Sequence, residues 1–250
     1  MKKYIFYFLF FVTFIKCAYA QEQRRNVGWA VLPYLGFSFQ TPSGNLAERF
    51  GRSNGVGGGV DYLSAKRNII LGVETNFIFG TTVKEDVLAG LRDPDGEIIG
   101  NSQSQTSVAL RQRGLYVGAL VGKLFGLLSN NPRSGIRATM GVGYFRHRIR
   151  LQDDNQAVVQ ISGDYTKGYD RLTGGITLSQ FIGYQHLATN RRINLTAGFE
   201  FLQCFSKSLR GFNYDTQKTD KGARLDLLYG FKVALTLPFY IGEDAEQIDY

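Results

Sequence analysis

Cysteine, methionine, histidine and proline are all scarce in this chain of 250 residues, with two Cys, two Met, two His and five Pro. Cys17 lies in a stretch read below as a removable leader, so Cys204 stands alone and no intramolecular disulfide can form. The fold must therefore close by its own strand pairing. Two histidines without any recurring His, Cys or carboxylate spacing offer no metal site. After residue 20 no stretch stays apolar for 18 residues, which excludes a membrane-spanning helix from the remainder. The charge excess, +8 before the leader is removed and +5 after, is mild and does not call for nucleic acid. What is abundant is glycine, at 30 residues, and aromatic side chains, at 14%. That balance suits strands and tight turns rather than helices, and 44% hydrophobic against 20% charged residues excludes a disordered chain.

Residues 1–20 read as a secretory signal peptide: Lys2 and Lys3, an apolar run from Tyr4 to Ile15, and Ala18-Tyr19-Ala20 ahead of the polar Gln21-Glu22-Gln23. Cleavage is expected after Ala20, leaving residues 21–250 as a single domain.

Period-two alternation recurs through that domain. From Val27 the odd positions read Val27, Trp29, Val31, Leu35, Phe37 and Phe39, whereas the even ones include Gly28, Ala30, Gly36 and Ser38. The last run is longer still, with Leu225, Leu227, Tyr229, Phe231, Val233, Leu235, Leu237 and Phe239 on one side. Eight large apolar residues on one face exceed what a soluble sandwich strand needs, but they are enough to cross a bilayer at a tilt. Strands are expected at 26–40, 55–64, 69–80, 112–124, 136–150, 172–187, 193–205 and 223–239. Eight such strands predict an all-β fold: an eight-stranded antiparallel transmembrane β-barrel of the outer-membrane kind.

The connections sort by length. Residues 65–68, 126–135 and 188–192 are short turns, while 41–54, 81–111, 151–171 and 206–222 are longer and more polar, and the two kinds alternate. An N-terminus in the periplasm puts all short turns on that side and all long loops outside. Aromatic residues that suit headgroup girdles are Trp29, Tyr34, Phe37, Phe39, Phe77, Phe79, Phe199, Phe201, Phe205, Tyr229 and Phe239.

With the apolar faces outward, Asp61, Glu74, Arg137, Glu200, Arg224, Asp226 and Lys232 point into the lumen. Charges in so narrow an interior need partners. Glu74, Glu200 and Lys232 sit near mid-strand and Arg137 starts lower, so these four are expected to meet as one interior ion-pair network that fills the barrel. Glu200→Gln is then expected to destabilise the barrel more than Glu85→Gln, which lies in an external loop.

Candidates for chemistry are few. His147 and His186 fall at opposite ends of the expected barrel; a triad of His147, Asp153 or Asp154, and Ser162 can be drawn, but polar loops supply such sets readily. The glycines of Gly55-Val56-Gly57-Gly58-Gly59 and Gly141-Val142-Gly143 lack the strand, loop and helix context of nucleotide sites and read as packing glycines. Arg146, Arg148 and Arg150 alternate on one face at the outer end of strand five, with Lys167, Arg171, Lys207, Arg210, Lys218 and Lys221 in external loops. They read as solvated loops or as a basic outer rim for lipopolysaccharide phosphates or an acidic partner.

The stretches Ser43-Gly44-Asn45-Leu46-Ala47-Glu48-Arg49-Phe50-Gly51, Asn76-Phe77-Ile78-Phe79-Gly80, Ser162-Gly163-Asp164-Tyr165, Gly168-Tyr169-Asp170-Arg171-Leu172 and Leu178-Ser179-Gln180-Phe181-Ile182-Gly183-Tyr184 resemble small outer-membrane β-barrel proteins of Bacteroidota. The resemblance implies location and fold, and it carries no functional residue and no cofactor. The expected function is a non-enzymatic barrel, structural or partner-binding through its extracellular loops, above all 81–111, set among outer-membrane lipid. Alternatives are a narrow transport pore and a membrane-embedded lipid hydrolase.

Overall fold

A computed structural model describes residues 28–128, 131–154, 157–188 and 193–241; the expected leader and its cleavage point lie outside them. Eight antiparallel strands follow one another around a closed ring: β1 (Trp29–Gly44), β2 (Ser53–Leu63), β3 (Ile69–Gly80), β4 (Ala109–Leu128), β5 (Asn131–Gln152), β6 (Thr173–Leu187), β7 (Asn194–Ser208) and β8 (Ala223–Thr236). Each pairs with its chain neighbour, and β8 pairs with β1, Phe37 opposite Val233, so no free sheet edge remains within the ring. No helix among the described residues is long and apolar enough to cross a membrane.

Strand positions follow the alternation, but lengths differ. β4 and β5 continue to Leu128 and Asn131, past the expected turn at 126–135. β1 runs on to Gly44 and is followed by a single helical turn, α1 (Asn45–Arg49), so the first outer loop is shorter than the expected 41–54. The last strand breaks after Thr236 because Pro238 has no N–H for the ladder. Pairing resumes at Phe239–Ile241 opposite Trp29–Val31.

Large apolar side chains lie exposed all round the outer wall: Leu35 and Phe39 on β1, Val73 on β3, Val117 on β4, Met140 on β5, Ile176 on β6, Phe199 on β7 and Leu235 on β8. A barrel surrounded by water would reverse this arrangement. On β4 the outward residues Leu115, Val117, Ala119 and Val121 lie between Arg113 above and Lys123 below, ten residues apart, and Phe125 and Leu127 continue the outward face beyond Lys123. At about 3.4 Å per residue and a tilt of about 40° these two charges stand roughly 26 Å apart in height, the height of an outer-membrane apolar band.

The small inward residues make room for large ones. A Cβ on Gly59 would come within 2.8 Å of the Tyr34 hydroxyl, and one on Gly55 within 2.7 Å of the Asn76 amide. The girdle expectation fails for Tyr34, which is buried and points into the lumen because it shares the even-numbered face of β1 with Leu32 and Ser38.

Two apolar clusters lie inside the ring, one towards each end. At the short-turn end Ala30, Leu32, Leu63, Ile70, Leu120, Leu124 and Leu187 pack together with Tyr240 against them. At the long-loop end Leu46, Phe50, Val87, Leu88, Ile98, Val108, Val158 and Ile161, all from α1 or the loops, pack onto Ile78, Tyr116, Phe145 and Leu228 from the wall. The long loops thus fold inward as a cap, driven by apolar residues that have no lipid to face.

Candidate functional site

Between the two apolar clusters lies a layer of charge. The ammonium of Lys232 stands 3.2 Å from Glu74 Oε2 and 3.8 Å from Glu200 Oε2, so one cation serves two carboxylates. The Tyr34 hydroxyl donates to Glu74 Oε2 at 3.3 Å, Ser179 Oγ donates to Glu74 Oε1 at 3.3 Å, and Gln40 Nε2 donates to Glu200 Oε1 at 2.7 Å. Voids beside this group measure about 20 Å³ each, room for about one water.

Arg137 does not pair with Glu74 or Glu200. Its guanidinium reaches Asp61 at 2.6 Å, donates to Gln185 Oε1 at 3.0 Å and lies over the Phe181 ring. The expected network of four is therefore two adjacent ion-pair groups, because Arg137 enters the lumen nearer the short-turn end, where Asp61 is the carboxylate at its height. Burial of Asp61 and Arg137, at 1% and 8% side-chain exposure, makes this pairing compulsory: an uncompensated charge there costs several kcal/mol.

The histidines do not build a nucleophilic site. His147 points into the barrel instead of up to the loops, and its Nε2 lies 2.9 Å from Asp226 Oδ2. Ser206 Oγ donates to the same Asp226 oxygen. Serine, histidine and aspartate are thus all present, but the carboxylate stands in the middle. In a working triad the imidazole separates nucleophile from carboxylate and takes the proton. Asp153 instead accepts from the Val158 amide at 2.9 Å and Ser162 donates to the Val159 carbonyl at 2.9 Å, both within their own loop. His186 lies at the other end, 3.1 Å from Ser134 Oγ. Among the described residues no group of three or more His, Cys, Asp or Glu is placed to hold a metal ion.

The cap contains a second ion-pair system that the sequence reading missed. Glu85 accepts from Arg49 Nε at 2.6 Å and from Arg171 Nε at 2.7 Å, and Arg171 also donates to Asp215. Four segments, α1 and the three long loops, are tied at this point. Burial by itself would push the Glu85 carboxyl up, but the Arg49 charge and the Arg171 hydrogen bond outweigh it and hold it below the usual carboxylate range. Beside it Arg210 grips Asp170 through Nε at 2.9 Å and Nη2 at 2.5 Å, a two-pronged bond that holds the Arg210 guanidinium firmly charged. Arg171 and Arg210 are therefore interior and bridging groups of the cap, not freely solvated loop charges. The available signal was the apolar pair Val87-Leu88 in a loop otherwise rich in charge, which marks a segment that folds back.

Arg146, Arg148 and Arg150 lie exposed on the outer wall of β5, beside Arg111 and Arg113 of β4. Lys207, expected in an external loop, lies instead near the end of β7, paired with Ala223 and Gly174, and is exposed; of the loop lysines, Lys167 pairs with Asp164 at 2.5 Å, and Lys218 and Lys221 are exposed.

No family model matches the chain, and no curated protein does. Among solved structures it is similar to Ail, the attachment invasion locus protein of Yersinia pestis, solved with the heparin analogue sucrose octasulfate; identity is 10%, the TM-score is 0.43, and the match covers 85% of this chain and 99% of that one. It is also similar to the outer membrane protein AlkL in lipid bilayers (11% identity, TM-score 0.38, 89% and 95% covered) and to a major outer membrane protein of Thermus thermophilus (10%, 0.35, 82% and 98%). The described residues of the chain form an eight-stranded antiparallel β-barrel whose outer wall is apolar.

Proposed function

We propose that this protein is a closed, non-enzymatic barrel of a bacterial outer membrane, of the kind found in Bacteroidota, exported by a cleaved leader and serving to hold a rigid binding platform above the outer leaflet. The filled lumen carries this reading. An apolar cluster at each end and two ion-pair groups between them occupy the lumen, and the voids beside the Lys232 group have room for about one water each. Transport through the barrel would need both clusters and the Lys232 group to part. The same packing that closes the lumen fixes the loops, and a loop held by buried ion pairs presents its outer side chains without an ordering cost. On that outer side Tyr165, Phe212 and Tyr214 are exposed at 59%, 43% and 44%, with Tyr214 edge-on to Tyr169 at 5.8 Å. Exposed aromatic residues on a rigid support are what a protein partner grips. The arrangement of Ser206, Asp226 and His147 gives no support to lipid hydrolysis.

Crosslinking on intact cells, followed by capture of the barrel, tests the platform. A stoichiometric protein that is captured with the unchanged chain and lost with Tyr165→Ser/Phe212→Ser is the expected result, and equal capture by both refutes it. Planar-bilayer recording tests closure: a steady baseline is expected, and regular current steps from the unchanged protein would establish a pore instead.

A further inference from the structure

Register places like charges face to face on the outer wall. In the β4–β5 ladder Arg111 stands directly opposite Arg150, Arg113 opposite Arg148, and Leu115 opposite Arg146. Directly opposed residues on one sheet face are about 5 Å apart at Cβ, and like charges there repel. Carboxylates do not relieve them. Among the described residues only Arg148 has one within 4.0 Å, at 3.9 Å, and that carboxylate, Asp170, is already held in two-pronged fashion by Arg210. Five guanidiniums are thus gathered with almost no counter-charge, on the outside of a wall where nothing in the fold requires a charge.

Neighbouring residues describe what would complete the site. Phe79 lies beside Arg113 on β3 and Phe77 beside Leu115, and Phe77, Leu115 and Leu172 line one groove together with Arg113, Arg146, Arg148 and Arg150. Directly below, the outward residues become Val117 and Tyr144, then Ala119 and Val142, then Val121 and Met140. A ligand here has an anionic head at the arginines and an apolar tail along the wall. From Arg146 to Arg150 is four residue steps, or about 14 Å along the strand, wider than one phosphate and suited to a headgroup bearing two or more anionic groups.

We propose that Arg111, Arg113, Arg146, Arg148 and Arg150 form a binding site on the outer wall for a glycolipid of the outer leaflet that carries phosphates on its sugar headgroup, with its acyl chains lying over Val117, Val142 and Met140. The site rests on the membrane reading above, since only there does the wall meet lipid. Guanidinium forks match phosphate oxygens in pairs, and an anion between opposed arginines turns a repulsive pair into a bridged one. Their height agrees: Arg113 stands at the upper edge of the apolar band, where headgroup phosphates lie.

The test uses full-length mature barrel refolded into detergent, free of native lipid, with bisphosphorylated lipid A as the probe and native mass spectrometry as the readout. Binding by the unchanged protein is expected to fall roughly 30-fold or more in Arg113→Gln/Arg148→Gln, since each lost charge-assisted bond is worth up to about tenfold. Arg150→Gln alone should lose about a third of that on a logarithmic scale. Lys66→Gln/Arg67→Gln, at the short-turn end, should bind as the unchanged protein does. Removal of outward arginines relieves repulsion, so these variants are expected to keep heat-modifiable migration on gels. Equal binding by the arginine variants, or equal binding of dephosphorylated lipid A, overturns the site. Displacement by millimolar inorganic phosphate would show a bare anion site, and equal affinity for phosphatidylglycerol would show no preference for a sugar headgroup; either overturns the assignment. A preparation that is heat-modifiable but binds no lipid A refutes the site and leaves the barrel standing, whereas one that stays soluble without detergent refutes the barrel itself.

Discussion

Glu85→Gln is the sharpest probe of how the loops are held. Glu85 lies in the long loop between β3 and β4, a position expected from sequence to be inert, yet its carboxylate joins Arg49 and Arg171, whose side chains are each only 5% exposed. The amide cannot accept both charge-assisted bonds as a carboxylate does. Arg171 keeps Asp215, but Arg49 is left with neutral acceptors, Thr173 Oγ1 and the Arg171 carbonyl. Removing one partner of a fully buried pair costs about 3–5 kcal/mol; Glu85 itself is 32% exposed, so screening by water reduces this to about 2–3 kcal/mol. Each 1.4 kcal/mol is tenfold, and cap opening should therefore become about 30- to 140-fold more frequent. Hydrogen exchange followed by mass spectrometry over residues 81–108 reads that opening directly, because local opening is detected even where the barrel stays folded. Glu97→Gln, exposed in the same loop and without an ion pair, should change exchange by less than about twofold. The pH dependence has a definite sign. A carboxyl held below its usual range in the closed cap stabilises the cap fully above that range, and the contribution is lost as pH falls through the lowered value. Protection of these amides, taken relative to their intrinsic exchange rate at each pH, should thus fall at acid pH in the unchanged protein, and the Glu85→Gln variant should show a weaker response. Equal exchange in the two proteins at neutral pH would refute the claim that Glu85 ties the cap.

Other outcomes follow from the lumen. Lys232→Met leaves Glu74 and Glu200 without their shared cation and should lower urea stability in lipid by about 3–5 kcal/mol, while Glu74→Gln/Glu200→Gln/Lys232→Met should recover most of it. An unchanged midpoint for Lys232→Met would show that the three do not form one group. Gly59→Ala puts a Cβ against the Val73 carbonyl oxygen and 2.8 Å from the Tyr34 hydroxyl and should cost about 1–3 kcal/mol, whereas Gly90→Ala, with open space around it, should be neutral; equal midpoints would show that the wall and Tyr34 do not crowd Gly59 in this register. Arg137→Met strands Asp61 in a dry site and should be worse than Arg137→Met/Asp61→Leu, and the reverse order would refute the pairing.

Alternation alone determined the number of strands, their approximate limits and the face each turns outward, because the strand period is two and a membrane demands apolar residues on one side of every strand. The sorting of short and long connections followed from the same pattern. Glu74, Lys232 and Glu200 were placed inward by counting from apolar neighbours such as Phe199 and Phe201. Only tertiary structure decided which charges meet. Arg137 takes Asp61 rather than Glu74 because stagger between strands sets the height at which a side chain enters the lumen, and stagger leaves no mark on alternation. Closure placed β8 beside β1 and so brought Lys232 opposite Ser38 and over the ring of Tyr34. Loop segments have no period to read, so Glu85 looked solvated until Val87, Leu88 and Phe50 drew its loop into the mouth of the barrel. For the same reason Arg146, Arg148 and Arg150 were legible as a row on one strand, but Arg111 and Arg113 joined them only through the β4–β5 register, a long-range pairing that one strand's sequence does not contain.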